Sequence, residues 1–333
     1  MNQQPIDAVY TWVDGGDPAH IEKINTALVA LGFRPRSAAA TRFASHGEIF
    51  QSLRSLDRFA PFFRHIHIVT DNQYPDFESQ AGLSQALLDK IRIVDHKAIF
   101  RDHLDALPTF NSRSIETMLY RIPGLAEQYV YFNDDMSLIK PVGPEHFFGP
   151  DGPVLRGYYD VMPHYRIKRR LQKFLTDTFG INFDTFQYYS YKLSQAKAAE
   201  HAGFSKKFYL LGHDPHALRQ STFARFFEAH PEILEINIRD KFRTDTQFNV
   251  AALAYHLEIK ANAGHLHPKR NLLYIKPGIQ RQLGALLKDA ERNPEKLFCC
   301  IQSLDMFTPK NQQRITRWLA ENLEREHADF RTP

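Results

Sequence analysis

Apolar and polar positions follow two different periods in the first 150 residues. Short apolar runs at 6–13, 65–70, 91–95 and 128–132 have the length and bounding residues of buried strands. Between the first two runs, Ile49, Leu53 and Leu56 fall at i, i+4 and i+7 and predict a helix that Ala60 and Pro61 end. A second helix is expected over 114–120, ahead of the turn RIPGL that leads into the run YVYF. Strands alternating with helical patterns predict crossover connections, hence an α/β fold with a mainly parallel, Rossmann-like sheet. After Gly149-Pro150 the pattern changes. Helical periods at 184–201, 215–229 and 244–257, and an amphipathic tail over 311–327, predict a largely helical second half. With no repeat or linker, residues 1–150 and 151–333 are expected to form one composite domain.

The strand ends carry the candidate chemistry. Three of the four runs finish in polar residues, TWVDGGD, TDNQ and FNDD. Ligands of open α/β sheets bind outside the carboxyl ends of the strands. Asp14, Asp17, Asp71, Asn72, Gln73, Asn133, Asp134 and Asp135 are therefore expected on one rim. Singly, each is an ordinary turn or cap residue. The adjacent pair Asp134–Asp135 is harder to dismiss, because carboxylates beside a buried strand need a cation or hydrogen bonds. Hard oxygen ligands suit Mg²⁺ or Mn²⁺, whose remaining positions go to water and substrate phosphates, so the pair implies a phosphorylated ligand. Gly15 and Gly16 allow close approach of the backbone to that ligand.

The second half supplies complementary groups. In LLGHDPHALRQ, His213 stands just ahead of a helix expected from Pro215, and a histidine so placed can serve as a general base near neutral pH. In DKFRTDTQFN, Arg243 precedes another expected helix start, suited to gripping a phosphate. Asp245 is expected as a first-turn helix residue rather than a ligand.

Composition narrows the function. Charged residues make up 24% of the 333, and the net charge of +4 is dispersed, which gives no nucleic-acid footprint. No run approaches the ~18 apolar residues of a membrane span. The start MNQQPIDAVY lacks a basic region followed by an apolar one, so a cytoplasmic location is expected. Cys299 and Cys300, adjacent in LFCCI, are expected as reduced core residues.

The blocks IDAVYTWVDGGDP, EIFQSLRSLDRFAPFFRHIHIVTDNQYPDF, LPTFNSRSIETMLYRIPGLAEQYVYFNDDM and GHDPHALRQ followed by KFRTDTQFN resemble, in order, the conserved regions of the Stealth family. The resemblance is dense over residues 6–141 and again over about 184–249. A last family region is looser, since Gln302 and Ser303 stand where the family pattern has Asn and Asp; no ligand role is assigned there. The resemblance implies transfer of a sugar 1-phosphate from a nucleotide diphosphate sugar, usually UDP-linked, to a hydroxyl of an acceptor glycan, with release of nucleoside monophosphate, in capsule or exopolysaccharide synthesis. It implies His213 as the base and Arg243 on the transferred phosphate. Asp14, Gly15, Asp17, Asn72, Gln73 and Asn133 would bind substrate, Arg42 or Arg54 would reach the pyrophosphate, with a structural ion pair the equal reading of Arg54, and Asn111, with Ser112 and Glu116, would shape the sugar pocket or cap a helix. Mg²⁺ or Mn²⁺ would sit on Asp134 and Asp135. The expected partners are the donor and a glycan acceptor, with peripheral association at the inner face of the membrane or with capsule machinery left open. A metal-dependent glycosyltransferase releasing nucleoside diphosphate, and a silent glycan-binding module, are the rival readings.

Overall fold

The computed structural model describes residues 4–32, 47–79, 82–163, 191–268 and 271–326. Strand β1 (Ile6–Thr11) is the inner strand from which the main sheet grows. It is followed by α1 (Pro18–Ala30), a helix the periodicity did not predict: only Ile24, Ala27 and Leu28 of its apolar residues are buried, so its stripe is faint. Asp17 caps it by accepting from Ala19 N, and Pro18 occupies the first turn, where no N–H is needed. Helix α2 (Glu48–Phe59) buries the predicted Ile49, Leu53 and Leu56. Then come β2 (Ile66–Thr70), α3 (Gln85–Leu88), β3 (Ile91–Asp95), α4 (His96–Phe100), α5 (Ser112–Met118) and β4 (Gln128–Asn133). The order β3-β2-β1-β4 is parallel throughout, as the α/β reading requires.

Among the described residues, the rest of the chain is as helical as its pattern suggests but interleaves short strands between the helices. It runs through β5 (Met136–Leu138), β6 (Phe148–Gly149), β7 (Gly152–Val161), α6 (Tyr191–His201), β8 (Lys207–Leu211), β9 (His216–Arg219), α7 (Gln220–Ala229), α8 (Pro231–Ile238) and α9 (Val250–Lys260). It ends with β10 (His265–His267), β11 (Leu272–Ile275), α10 (Leu283–Arg292), β12 (Phe298–Ile301) and α11 (Pro309–Glu324). Strand β7 escaped the pattern because its first five residues are all buried while its far end is largely exposed, so no alternation develops. It passes close to the turn after α9: a Cβ on Gly152 would lie 1.8 Å from Ala263 O, at a φ of +143°. The helix expected from Pro215 starts instead at Gln220, because His216–Arg219 pairs antiparallel with β4 and buries Ala217 and Leu218.

The two halves interlock. Strand β9 closes the main sheet, and β5 pairs with β12. One core joins Val9, Tyr129 and Tyr131 to Leu218, Phe248 and Tyr255; the other joins Ile6, Ala8, Tyr10 and Phe132 to Leu53, Leu56 and Phe298. Alternate residues of β1 thus enter opposite cores, as the pleat dictates. No helix among the described residues is long and apolar enough to cross a membrane.

Candidate active site

Register brings the strand ends together. Thr11 stands opposite Asn133 where β1 and β4 finish, and the buried Tyr131 links them: its hydroxyl lies 3.0 Å from Thr11 Oγ1 and donates to Asn133 Oδ1 at 2.6 Å. Because β9 is antiparallel to β4, His216 pairs with Tyr131. The loop carrying His213 therefore emerges at the same end of the sheet as Asn133 and the acidic pair.

Asp134 and Asp135 form the turn between β4 and β5. Burial, the Asp135 charge and the nearby Glu48 carboxylate push the Asp134 carboxyl up to about 7. Burial pushes Asp135 to about 6, against a contact with the Cys300 thiol, whose Sγ lies 3.5 Å from Oδ2. The other oxygen, Oδ1, is buried with no hydrogen-bond partner, and among the described residues neither carboxylate forms a salt bridge. A carboxylate so placed is short of positive charge. The donor set is hard oxygen and fits a divalent cation of the Mg²⁺ type. The contribution of β12 to this corner was missed in the sequence. Cys300 pairs laterally with Met136, and Ile301 N donates to Asp135 O at 2.9 Å, fixing the acidic turn from beneath.

The residues after β1 and β2 form a clamped pair of loops. Gln73 accepts from Asp14 N at 2.9 Å and donates to Asp14 O at 3.1 Å and to Asp17 Oδ2 at 2.8 Å. That bond and the Ala19 backbone hold the Asp17 carboxyl below its usual range. Gly16 N donates to Asp14 Oδ1, and Asn72 takes a positive φ of 55° so that the chain can turn back to Gln73. Gln73 is thus the hub that shapes the loop holding Asp14, Gly15 and Asp17. Asp71 pairs with Lys23 at 2.9 Å.

From the second half, the Arg243 guanidinium donates to the Ser112 hydroxyl and lies beside Glu116. Burial raises the Glu116 carboxyl, opposed by the charges of Arg243 and Arg113 and by the neighbouring Ser112 and Tyr131 hydroxyls. Tyr131 also senses Asp134 and Asp135. Arg243, Glu116, Tyr131 and the acidic pair therefore lie close enough to feel one another's charge. Arg243 does not precede a helix directly, as expected: α9 begins at Val250, capped by Asn249, and Arg243 sits in the preceding loop beside Asp245. Helix-dipole assistance is thereby lost. Its orientation comes from Ser112 and Glu116 instead.

His213 lies between two tyrosines that the sequence did not single out. Its ring is stacked 4.6 Å from Tyr191 and 4.7 Å from Tyr274, at 18° and 13°. Burial, then the charge of Lys276, holds its pKa below the usual histidine value. Tyr274 stands beside Cys300 in the pairing of β11 with β12 and senses Asp135, so His213 reaches the acidic corner through one stacked ring. The expected helix after His213 is the strand β9.

Of the other expected binding residues, Arg54 packs beside a glycine and Asn111 is internal. Arg54 lies against Gly82, where a Cβ would meet its Nε at 3.4 Å. Asn111 is wholly buried: its Oδ1 caps α5 by accepting from Arg113 N, and its amide donates to Asp240 O and Gln247 Oε1. It is a helix cap with no face toward a ligand. Arg42 lies outside the described residues.

Asp7, His65 and His67 also bring ligand-type atoms within 4.8 Å of one another, at the opposite end of the sheet. Asp7 is already saturated. It accepts from Arg64 Nε and Nη2 at 2.9 and 2.7 Å, from His65 N, from His67 Nε2 at 3.1 Å and from Ala126 N at 2.8 Å. These donors hold its carboxyl far below its ordinary value despite burial. This cluster is a structural anchor of β1 and β2.

The chain matches the model of Stealth protein conserved region 1 over residues 4–28 and that of conserved region 2 over residues 42–154. It is 33% identical over 90% of its length to an exopolysaccharide phosphotransferase of Streptomyces coelicolor, covering 47% of that protein. A capsular polysaccharide phosphotransferase of Haemophilus influenzae is 42% identical over 44% of this chain and 39% of its own. These matches make the chain similar to Stealth-family proteins. The chain spans about half the length of the curated relatives it matches, 47% of the first. Among solved structures, a galactosyltransferase in complex with donor and acceptor sugar analogues aligns over 95% of both chains at 10% identity, with a TM-score of 0.39; the fold assignment here rests on strand order alone.

Proposed function

We propose that this chain is a phosphotransferase that moves a sugar 1-phosphate from a nucleotide diphosphate sugar, UDP-linked as the family resemblance implies, to a hydroxyl of an acceptor glycan. The observation that carries the reading is the meeting of a cation-deficient acidic pair, a guanidinium and a weakly basic imidazole at the carboxyl end of one parallel sheet. His213 accepts the proton of the acceptor hydroxyl, whose oxygen bonds to the sugar-side phosphorus. The pyrophosphate P–O bond breaks, and nucleoside monophosphate leaves with the electron pair. Arg243 faces the charge on the phosphate in transfer. Asp134 and Asp135 would hold a divalent ion, which when bound supplies neutralising charge for the pyrophosphate. The loop braced by Gln73 presents Asp14, Gly15 and Asp17 to the donor, with Asn72 and Asn133 at its border.

The deciding experiment incubates the purified chain with a panel of nucleotide diphosphate sugars, an acceptor glycan and Mg²⁺ and identifies the nucleotide released. Monophosphate together with a phosphodiester product supports the reading. Release of diphosphate would make the chain a glycosyltransferase, and no release with retained sugar binding would make it a glycan-binding module.

A further inference from the structure

Catalytic histidines are commonly oriented by a carboxylate or carbonyl that accepts from the second ring nitrogen. His213 is held differently. Among the described residues no hydrogen bond reaches either of its ring nitrogens, while both ring faces are covered. Each covering ring is itself tethered. Tyr191 OH donates to Gly212 O at 2.6 Å, tying that ring to the backbone just before His213, and Tyr274 OH donates to Gln302 Oε1 at 2.5 Å.

We infer that Tyr191 and Tyr274 are positioning residues that orient the His213 imidazole by stacking, with Gln302 fixing the second ring. The inference rests on the proposed role of His213. A ring gripped by its faces can turn only in its own plane, which leaves its edge nitrogens for a hydroxyl on one side and solvent on the other. The same stack keeps water from the ring, so it works against protonation before the acceptor binds. The charged and titrating groups around it are Lys276, which disfavours protonation, His216 on β9, and the two tyrosines themselves. Both tyrosines keep their protons: burial raises Tyr191 well above its usual value and Tyr274 to about 12.

The test is Tyr274→Ala beside Tyr274→Phe, read two ways. In the nucleotide-release assay, Y274A should lower kcat roughly 10- to 100-fold with the donor KM little changed, since orientation and not donor binding is lost. Its acidic limb should move to higher pH as water reaches the ring. Y274F, which keeps the flat face and loses the bond to Gln302, should restore most of kcat. Independently of turnover, the imidazole resonances of His213 should titrate at higher pH in Y274A than in the wild type. A wild-type kcat and titration in Y274A would overturn the inference. An equal loss in Y274F would overturn stacking and assign the effect to the hydroxyl. If Y274A does not fold, Tyr274→Leu, which fills the space without a flat face, decides by the same readouts. A wild-type chain that releases no nucleotide sinks the proposed function, and the resonance titration then still reads the stack.

Discussion

Replacing Asp134 with Asn should stabilise the metal-free protein and destroy its response to divalent ions. The Asp134 carboxyl sits at about 7 instead of 3.8 because burial, Asp135 and Glu48 all oppose its charge. A raised carboxyl pKa means that the native state binds more protons than the unfolded chain between those two values. Stability therefore falls as pH climbs through that window and stays reduced above it. At 1.36 kcal/mol per unit, a shift of roughly three units sets a ceiling of about 4 kcal/mol. Asp134 is partly exposed, so about half of that is realistic after solvent screening. With an unfolding entropy of ~2.1 cal/mol/K per residue, ~2 kcal/mol corresponds to a rise in Tm of about 3 °C. The assay is thermal unfolding at pH 8 after EDTA treatment, with and without added Mg²⁺. Wild type should gain about 4 °C at a Mg²⁺ concentration near 100 times its Kd. Asp134→Asn should begin higher, gain almost nothing from Mg²⁺ and lose turnover. A metal-free variant no more stable than wild type, or one that keeps the full Mg²⁺ response, would refute the reasoning.

The remaining expectations address other parts of the site and its frame. His213→Ala should lower kcat by about 10²- to 10⁴-fold while donor affinity survives, measured by calorimetry beside the release assay. Because burial and Lys276 depress the His213 pKa, the acidic limb of kcat/KM should lie below the ordinary histidine value of ~6.5; a limb above 7 contradicts the assignment. Arg243→Ala should cost about 10²- to 10³-fold in kcat, and Arg243→Lys should recover only part of it, since a point charge cannot reproduce the fork that meets Ser112, Glu116 and phosphate. Asp7→Ala should destabilise the fold by about 3–5 kcal/mol in urea titration, because it strips the acceptor from Arg64, His67 and two backbone N–H groups; a loss below ~1 kcal/mol would show that the anchor is not one.

Much of this molecule was readable along the chain. Three of the four parallel strands announced themselves by short buried apolar runs with polar ends, the half-exposed edge strand β3 by its apolar run alone, and α2 by its i, i+4, i+7 stripe, because buried strands and an amphipathic helix leave local periods. The acidic turn was visible because two carboxylates after a buried strand conflict with burial unless they serve a purpose. Density of motif added the family. The elements whose surroundings change along their length did not show: β7 passes from core to surface, and β9 looks like the start of a helix until β4 is there to pair with it.

Residue identity was enough to nominate His213, Arg243, Asp134 and Asp135, since their chemistry resides in the side chain. Their neighbours were another matter. Tyr131, Tyr191, Tyr274 and Cys300 look like core residues in the linear text, and Asn111 and Glu116 read equally as pocket or cap residues. What sorted them was the register of β4 against β9 and of β11 against β12, contacts spanning more than 80 and more than 20 residues of chain. Local patterning follows from each residue's own preference for water or oil, whereas the partner of a buried polar group is chosen by whichever distant segment the fold lays beside it.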